Sequence, residues 1–361
     1  MSASGHDLRW ETQLLDAFEL TGSCGSQPSL ATLACAESWL TQGIPIVIPT
    51  ETVYGLAAPA RNREAVQAIF AIKQRPLDNP LIVHVTGSAQ LASVGAQLSP
   101  LAAQLASAFW PGPLTLVVSS HAPLPWVTAD LDSIAVRHPA HEFASALIRR
   151  VGPLAAPSAN LSGLPSPTRA QHAAHDLRGR VPLVVDAGDL EHGVESTVID
   201  ARGDTPIMLR PGAVTAEELE ACCGRNVRTP VAGSVARSPG MKYRHYSPRA
   251  ELWLYPPGAS HTPRFSHDAR QLRSSGRRVA AIASHRVEVD HFIPLPADTR
   301  ELGRRLFGWL RELDELGVDH ILVESVSGLG VGRAVMDRLE RAASRIQSGE
   351  PDAAVLRGSS L

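Results

Sequence analysis

Lysine is nearly absent from this chain of 361 residues: of its 34 basic residues only two, Lys73 and Lys242, are lysines. A sequence so biased towards arginine uses guanidinium wherever a solvated positive charge suffices. The remaining ammonium groups therefore mark places where a compact point charge matters. Lys73 lies in the stretch AIFAIKQRPLDNPLIVHV, residues 68–85, beside Arg75. Pro76 pushes Arg75 out of helical geometry and aims it away from the preceding helix. Arg137 and Arg210 stand at the ends of the apolar runs SIAVR and PIMLR. These four cations could converge on a polyanion, with arginine forks gripping planar or tetrahedral oxyanions and lysine supplying a point charge. Two of the residues carry a second reading. Lys73 follows Ile69 by one helical turn, so it could instead snorkel from the buried stripe and favour the helix dipole. His84, flanked by apolar residues, could be a satisfied core histidine, and it becomes a ligand only if a polar pocket reaches its strand.

The elements that must position these groups follow from apolar patterning. Short apolar runs at 44–49, 80–85, 113–118, 133–137, 153–157, 182–186, 196–200 and 206–210 read as strands. Between them lie segments such as REAVQAIFAIK, with Val66, Ile69 and Phe70 on one helical face. This alternation predicts an α/β domain with a largely buried sheet over residues 29–225. Polar residues recur at the strand ends: Thr50, Glu51 and Thr52, then Arg137, then Ser158 and Asn160, then Arg210. Ligands of open α/β sheets bind outside the carboxyl ends of strands, so the recurrence predicts one shared pocket. Residues 1–28 read as a polar extension. Residues 226–250 hold prolines, glycines and little apolar periodicity, the signature of a linker, yet one that is basic and aromatic. Residues 251–361 form a smaller α/β domain, with strands near 277–284 and 320–325 and a helix over 299–317 whose stripe is Leu302, Leu306, Leu310 and Leu313.

Several function classes are disfavoured. A net charge of −2 provides no global field for nucleic acid, so RNA contact would need a local patch. The four cysteines lack CxxC spacing and read as reduced thiols of a cytosolic protein. The opening residues have no signal architecture, and no apolar run approaches the roughly 18 residues of a membrane span. The histidine pairs at 138/141 and 172/175 have no companions that complete a metal set. No GxxxxGK[ST] motif occurs, and the glycines at 328, 330 and 332 do not fit GxGxxG. With no triad in sight, catalysis would come from positioning and charge stabilisation.

Seven motifs in order then carry a resemblance: PTETVYGLAA (49–58), KQRPLDNPLIVHV (73–85), WPGPLTLV (110–117), AAPSANLSGLPSPT (155–168), GVESTVID (193–200), LRPGA (209–213) and SPGMKYRHYSP (238–248). Together they closely resemble the threonylcarbamoyl-AMP synthase family in its long form. The resemblance implies a YrdC-like twisted-sheet α/β domain followed by a smaller Rossmann-like α/β domain. It further implies synthesis of L-threonylcarbamoyladenylate from L-threonine, bicarbonate or CO2, and ATP, with release of pyrophosphate. The product would serve threonylcarbamoyladenosine modification, next to the anticodon, of tRNAs reading ANN codons. Position by position, the threonine site is implied to comprise Thr52, His84, Arg137 and Ser196. The nucleotide site is implied to comprise Arg75, Asn79, Ser133, Ser158, Asn160, Ser166, Arg210 and Tyr243, with Lys73 and Arg75 as the catalytic basic element. Magnesium would ride mainly on the phosphates, with no protein-borne metal site. The linker is implied to fold over the site as a lid, steered by the second domain. Direct RNA binding is possible but not required; the downstream partner is the tRNA-modifying machinery. Two small departures are Ser247, where alanine is commoner, and Asp337, where asparagine is usual. The rivals are carbamoyltransferases of hydrogenase maturation, which need more length and cysteines, and a non-catalytic double-stranded-RNA-binding module.

Overall fold

The computed structural model describes residues 10–20, 26–121, 124–230 and 246–347. The first domain is built on a mixed sheet of eleven described strands. Across it the order is Gln13–Asp16, Leu183–Asp186, Ile46–Ile48, Gly55–Pro59, Leu154–Ala155, Ile82–His84, Ser133–Arg137, Leu114–Ser120, Thr197–Asp200 and Ile207–Arg210, with Ala96–Gln97 pairing off the side of Leu114–Ser120. Every apolar run expected to be a strand is one. The central strands read as unbroken apolar stretches because both faces are covered, and they are buried throughout.

Two pairings matter for function. Ile82–His84 and Ser133–Arg137 run parallel, with His84 opposite Arg137. Leu154–Ala155 runs antiparallel on the other side, with Leu154 opposite His84. The carboxyl ends of these two central strands therefore stop level with each other. The helix Arg63–Lys73 packs beneath, capped by Asn62, whose Oδ1 accepts from the Ala65 N–H at 3.0 Å. Its buried face is Ala65, Val66, Ile69, Phe70 and Lys73, and it stops where Gln74 turns left-handed at φ +53°.

The segment before residue 29 is more than a polar extension. Gln13–Asp16 adds a parallel edge strand against Leu183–Asp186, and Ala17 is fully buried. Phe18–Leu20 and Ser26–Pro28 form a small antiparallel pair. A short edge strand with one solvated side carries too little apolar signal to stand out in sequence. At the other end, the helix Ala216–Cys223 opens with a capping box, Thr215 and Glu218 bonding reciprocally, and places Ala216 and Leu219 in the first domain's core.

The second domain is a parallel sheet of five strands, ordered His291–Pro294, Val279–Ala283, His320–Glu324, Glu251–Tyr255 and Arg345–Ile346. The helix Thr299–Glu315 buries the expected leucine stripe with Phe307 against it. Its other side meets the first domain. There Gly193, at φ +69°, lies so near the helix that an added Cβ would stand 2.3 Å from the Arg304 carbonyl oxygen. From the same helix, Arg311 reaches across to Asp176 in a buried bidentate pair of 3.0 and 2.7 Å and donates to the Pro165 carbonyl. Among the described residues no helix is long and apolar enough to cross a membrane.

A buried ion pair is strongly sensitive to loss of one partner, because the other charge is left without solvent or counterion. Arg311→Ala should therefore cost about 3–5 kcal/mol in chemical denaturation. A loss below about 1 kcal/mol, the range of exposed pairs, would mean that Asp176 finds water or another cation.

Candidate active site

The level strand ends open onto a cleft. Its wall includes Thr50, Thr52, Gly55, Arg75, His84, Arg137, Ser158, Glu195, Ser196, Arg210 and Tyr246. Strand–loop junctions bring these together. Thr50 and Thr52 follow the strand Ile46–Ile48, and their hydroxyls are 2.9 Å apart, with Thr50 also closing the turn onto the Val53 carbonyl. Ser196 directly precedes the strand Thr197–Asp200 and bonds the Thr115 hydroxyl at 2.8 Å. The loop after Arg210 passes hard against this segment: a Cβ on Gly212 would lie 2.3 Å from the Thr197 nitrogen and 2.4 Å from the Glu195 carbonyl oxygen. Only glycine permits that approach.

The cations in the cleft are held mainly by main-chain carbonyls. Arg75 donates to the Asn79 and Pro80 carbonyls at 3.3 and 3.0 Å. Arg210 donates to the Ser196 carbonyl at 3.2 and 3.0 Å and to the Ser196 hydroxyl at 3.2 Å. Among the described residues neither forms an ion pair with a carboxylate, and neither Nη1 nitrogen makes a hydrogen bond. Burial lowers Arg75 to about 10, which leaves it charged at neutral pH, and also lowers Arg210. Arg137 differs. It donates to the Gly112 carbonyl and the Thr52 hydroxyl, and its Nη2 lies 2.7 Å from Glu51 Oε1. Neither of those last two atoms makes an aligned hydrogen bond, so the contact is an ion pair by proximity. Burial pushes the Glu51 carboxyl up, but the Arg137 guanidinium and the backbone groups of Ala140 and Glu51 together outweigh this and leave it below the usual range. His84 is buried and its Nδ1 has no partner. Desolvation, reinforced by the Arg137 charge, pushes its pKa down to about 3, so the ring is neutral at pH 7. An orphaned polar nitrogen on the wall of a polar cleft is a group waiting for a ligand.

Seven of the expected site residues line the cleft: Thr52, Arg75, His84, Arg137, Ser158, Ser196 and Arg210. Others sit behind the wall. Lys73 turns inward, donating to the Ser158 and Asn160 carbonyls at 2.5 and 2.6 Å, and burial with the neighbouring Arg75 charge holds its pKa well below the ordinary value. Asn160 ties the same loop together through the Leu161 and Leu164 carbonyls. Asn79 supplies the carbonyl that holds Arg75, and Ser166 donates to Glu195 Oε1 at 2.5 Å. The structure does not bring Ser133 to the cleft wall: it starts the strand that Arg137 ends, and its buried hydroxyl has no partner. Tyr243, with Lys242 and most of the linker, lies outside the described residues. Two wall residues were not singled out from sequence, Glu195 and Tyr246. Glu195 was visible only as the neighbour of Ser196, and Tyr246 only as one aromatic of the basic linker.

Comparison with known proteins agrees with this geometry. A family described as telomere recombination (Sua5, YciO and YrdC) matches residues 38–212, and the threonylcarbamoyl-AMP synthase C-terminal domain matches residues 214–344. The chain is 43% identical to threonylcarbamoyl-AMP synthase of Pyrococcus abyssi over 85% of its own length and 92% of that protein.

The chain belongs to the threonylcarbamoyl-AMP synthase family.

A Bacillus subtilis threonylcarbamoyl-AMP synthase is 42% identical over 86% of this chain and 92% of its own. The solved structure of P. abyssi Sua5 complexed with L-threonine superposes with a TM-score of 0.86 at 39% identity, covering 92% of this chain and 98% of that one. The two family regions meet at residues 212–214, whereas in this member of the threonylcarbamoyl-AMP synthase family the helix Ala216–Cys223 still packs in the first core.

The buried neutral state of His84 has a consequence for stability. Unfolded histidine titrates near 6.5, and folded His84 near 3. Between those values the unfolded chain binds the extra proton, so stability falls as pH drops through that window. From pH 8 to pH 5 the His84 contribution is about 2 kcal/mol. Chemical denaturation at the two pH values should show His84→Gln losing about 2 kcal/mol less than the parent. An identical pH dependence in both would place His84 in contact with water.

Proposed function

We propose that this chain is a nucleotidyltransferase that makes L-threonylcarbamoyladenylate and pyrophosphate from L-threonine, bicarbonate or CO2, and ATP. The observation that carries this reading is the convergence of Arg75, Arg137 and Arg210 with a neutral histidine and several hydroxyls in one cleft. Charge balance divides the site. Among the described residues Arg75 and Arg210 form no ion pair with a carboxylate and no hydrogen bond through Nη1, which suits them to a triphosphate. Arg137 is already largely neutralised by Glu51, which suits the singly charged carboxylate of a zwitterionic amino acid. The Thr52 and Ser196 hydroxyls and His84 complete a polar nest for threonine beside it.

In the first step the amine of threonine, having lost its ammonium proton, attacks the carbon of CO2: the N–C bond forms as one C=O π bond opens onto oxygen, and a second amine proton passes to solvent, leaving the carbamate. In the second, an oxygen of the resulting carbamate attacks the α-phosphorus and pyrophosphate leaves. The carbamate and the triphosphate are both anionic and must approach one another, and fixed guanidiniums in a dry cleft stabilise the charge that builds up as they do. Lys73 acts from behind, fixing through two carbonyls the loop that carries Ser158. Magnesium would be carried by the triphosphate, where it would offset phosphate charge. Among the described residues the cleft wall offers guanidinium, hydroxyl and imidazole groups and one carboxylate, Glu195, which is engaged by Ser166 and Arg338. The chemistry belongs to the cytoplasm, where the product passes to enzymes that modify tRNA.

Pyrophosphate release from ATP should depend on both threonine and bicarbonate. Its absence in folded, ATP-binding protein would favour a binding module instead. Arg137→Ala should raise the KM for threonine far more than that for ATP. Arg75→Ala should lower the rate by about 100- to 1,000-fold, the typical loss of one electrostatic donor. Equal effects of Arg137→Ala on both substrates would refute the division of the site.

A further inference from the structure

Glu195 is out of place in a cleft built to bind anions. It lines the wall, it is 6% exposed, and of the two carboxylates whose charges act on Arg210, Glu195 and Asp337, it acts more strongly. Left alone, it would be the natural counterion for Arg210, since a buried carboxylate recruits the nearest cation. In the structure it is engaged elsewhere. Its Oε1 accepts from Ser166, and its Oε2 accepts from Arg338 Nε at 2.9 Å. Burial pushes the Glu195 carboxyl up, but the charges of Arg338 and then Arg210 outweigh that and bring it down to about 2.

Arg338 belongs to the second domain, on the helix Gly332–Ala342, and is completely buried. Its Nη1 donates to Asp337 Oδ2 at 2.7 Å and to the carbonyl of Pro211, the residue after Arg210, at 2.9 Å. Asp337 is itself shared with Arg341 at 3.0 Å, so the Arg338 charge is not spent on Asp337 alone. The guanidinium lies 5.3 Å from the centre of the Tyr246 ring, which stacks on Phe307 and lines the cleft.

We propose that Arg338 is a positioning residue for the phosphates: by holding Glu195 from the second domain, it keeps Arg210 from pairing with that carboxylate and leaves the Arg210 guanidinium open to a nucleotide. The second domain thus completes the charge balance of the cleft. This inference rests on the reading above only in taking the bound anion to be ATP.

The test is calorimetric binding of magnesium–ATP, and separately of L-threonine, to the full chain. Arg338→Gln should weaken ATP about tenfold or more, the loss expected when one charged hydrogen-bond donor is withdrawn, while threonine affinity changes less than about threefold. The double variant Glu195→Gln/Arg338→Gln removes the competing carboxylate as well and should bring ATP affinity back to within about threefold of the parent. Arg338→Lys, which keeps the charge, should fall between. Arg300→Gln breaks another interdomain pair, the exposed contact with Glu218 outside the cleft, and should leave ATP affinity unchanged. A role in domain packing alone would make the double variant no better than Arg338→Gln, and that result overturns the proposal. So would equal loss of ATP and threonine in Arg338→Gln, an ATP affinity within twofold of the parent, or a parent that does not bind ATP. If the parent binds ATP but releases no pyrophosphate with threonine, the proposed reaction falls while the binding comparison still decides the role of Arg338.

Discussion

A buried guanidinium with no carboxylate beside it is the condition around which this cleft is built. Taking a charge out of water costs several kcal/mol unless fixed dipoles replace the lost solvent. Here carbonyl oxygens do so. Arg75, Arg210 and Lys73 each point at main-chain carbonyls. A carboxylate partner would have made burial easier and closed the site to anions. Carbonyls keep the charge in place without cancelling it, so the free-energy gain of neutralisation is left for the ligand. This places demands on the backbone, since the loops after the strands must turn their carbonyls inward. That explains the close approach at Gly212, where the segment after Arg210 lies against the chain from Glu195 to Thr197.

Glu51 and Glu195 are managed differently. Glu51 sits against Arg137 and sets aside one cation for a weakly charged ligand. Glu195 is held by Ser166 and by Arg338 from the other domain. Charge in the site is therefore a property of both domains. The interface between them carries the necessary precision, through the tight contact at Gly193 and the buried Arg311–Asp176 pair.

Most strands were legible because continuous burial on both faces leaves an unbroken apolar run that nothing else in a polar chain imitates. Gly55–Pro59 was not, because GLAAP is small and turn-like, and it becomes a strand only when flanked by Ile46–Ile48 and Leu154–Ala155. Gln13–Asp16 was hidden for the opposite reason, as an exposed edge with a mixed pattern. Within the site, motif order placed Thr52, Arg75, His84, Arg137, Ser158, Ser196 and Arg210 together, and the cleft contains them all. The inward turn of Lys73 could not be read, since a lysine on the buried stripe of a helix can either snorkel or find carbonyls, and only the loop from Ser158 to Asn160 decides between them.

By itself, then, the sequence determined the layering of two α/β domains, the strand ends at which polar groups collect and the family to which the chain belongs. These depend on local periodicity and on motif order, both of which are written along the chain. Tertiary structure alone decided which cations remain uncompensated. Pairing depends on distances between residues far apart in sequence, such as Glu195 and Arg338 or Glu51 and Arg137. A shift of a few ångströms, invisible in any motif, decides whether a buried charge is cancelled or left for a ligand.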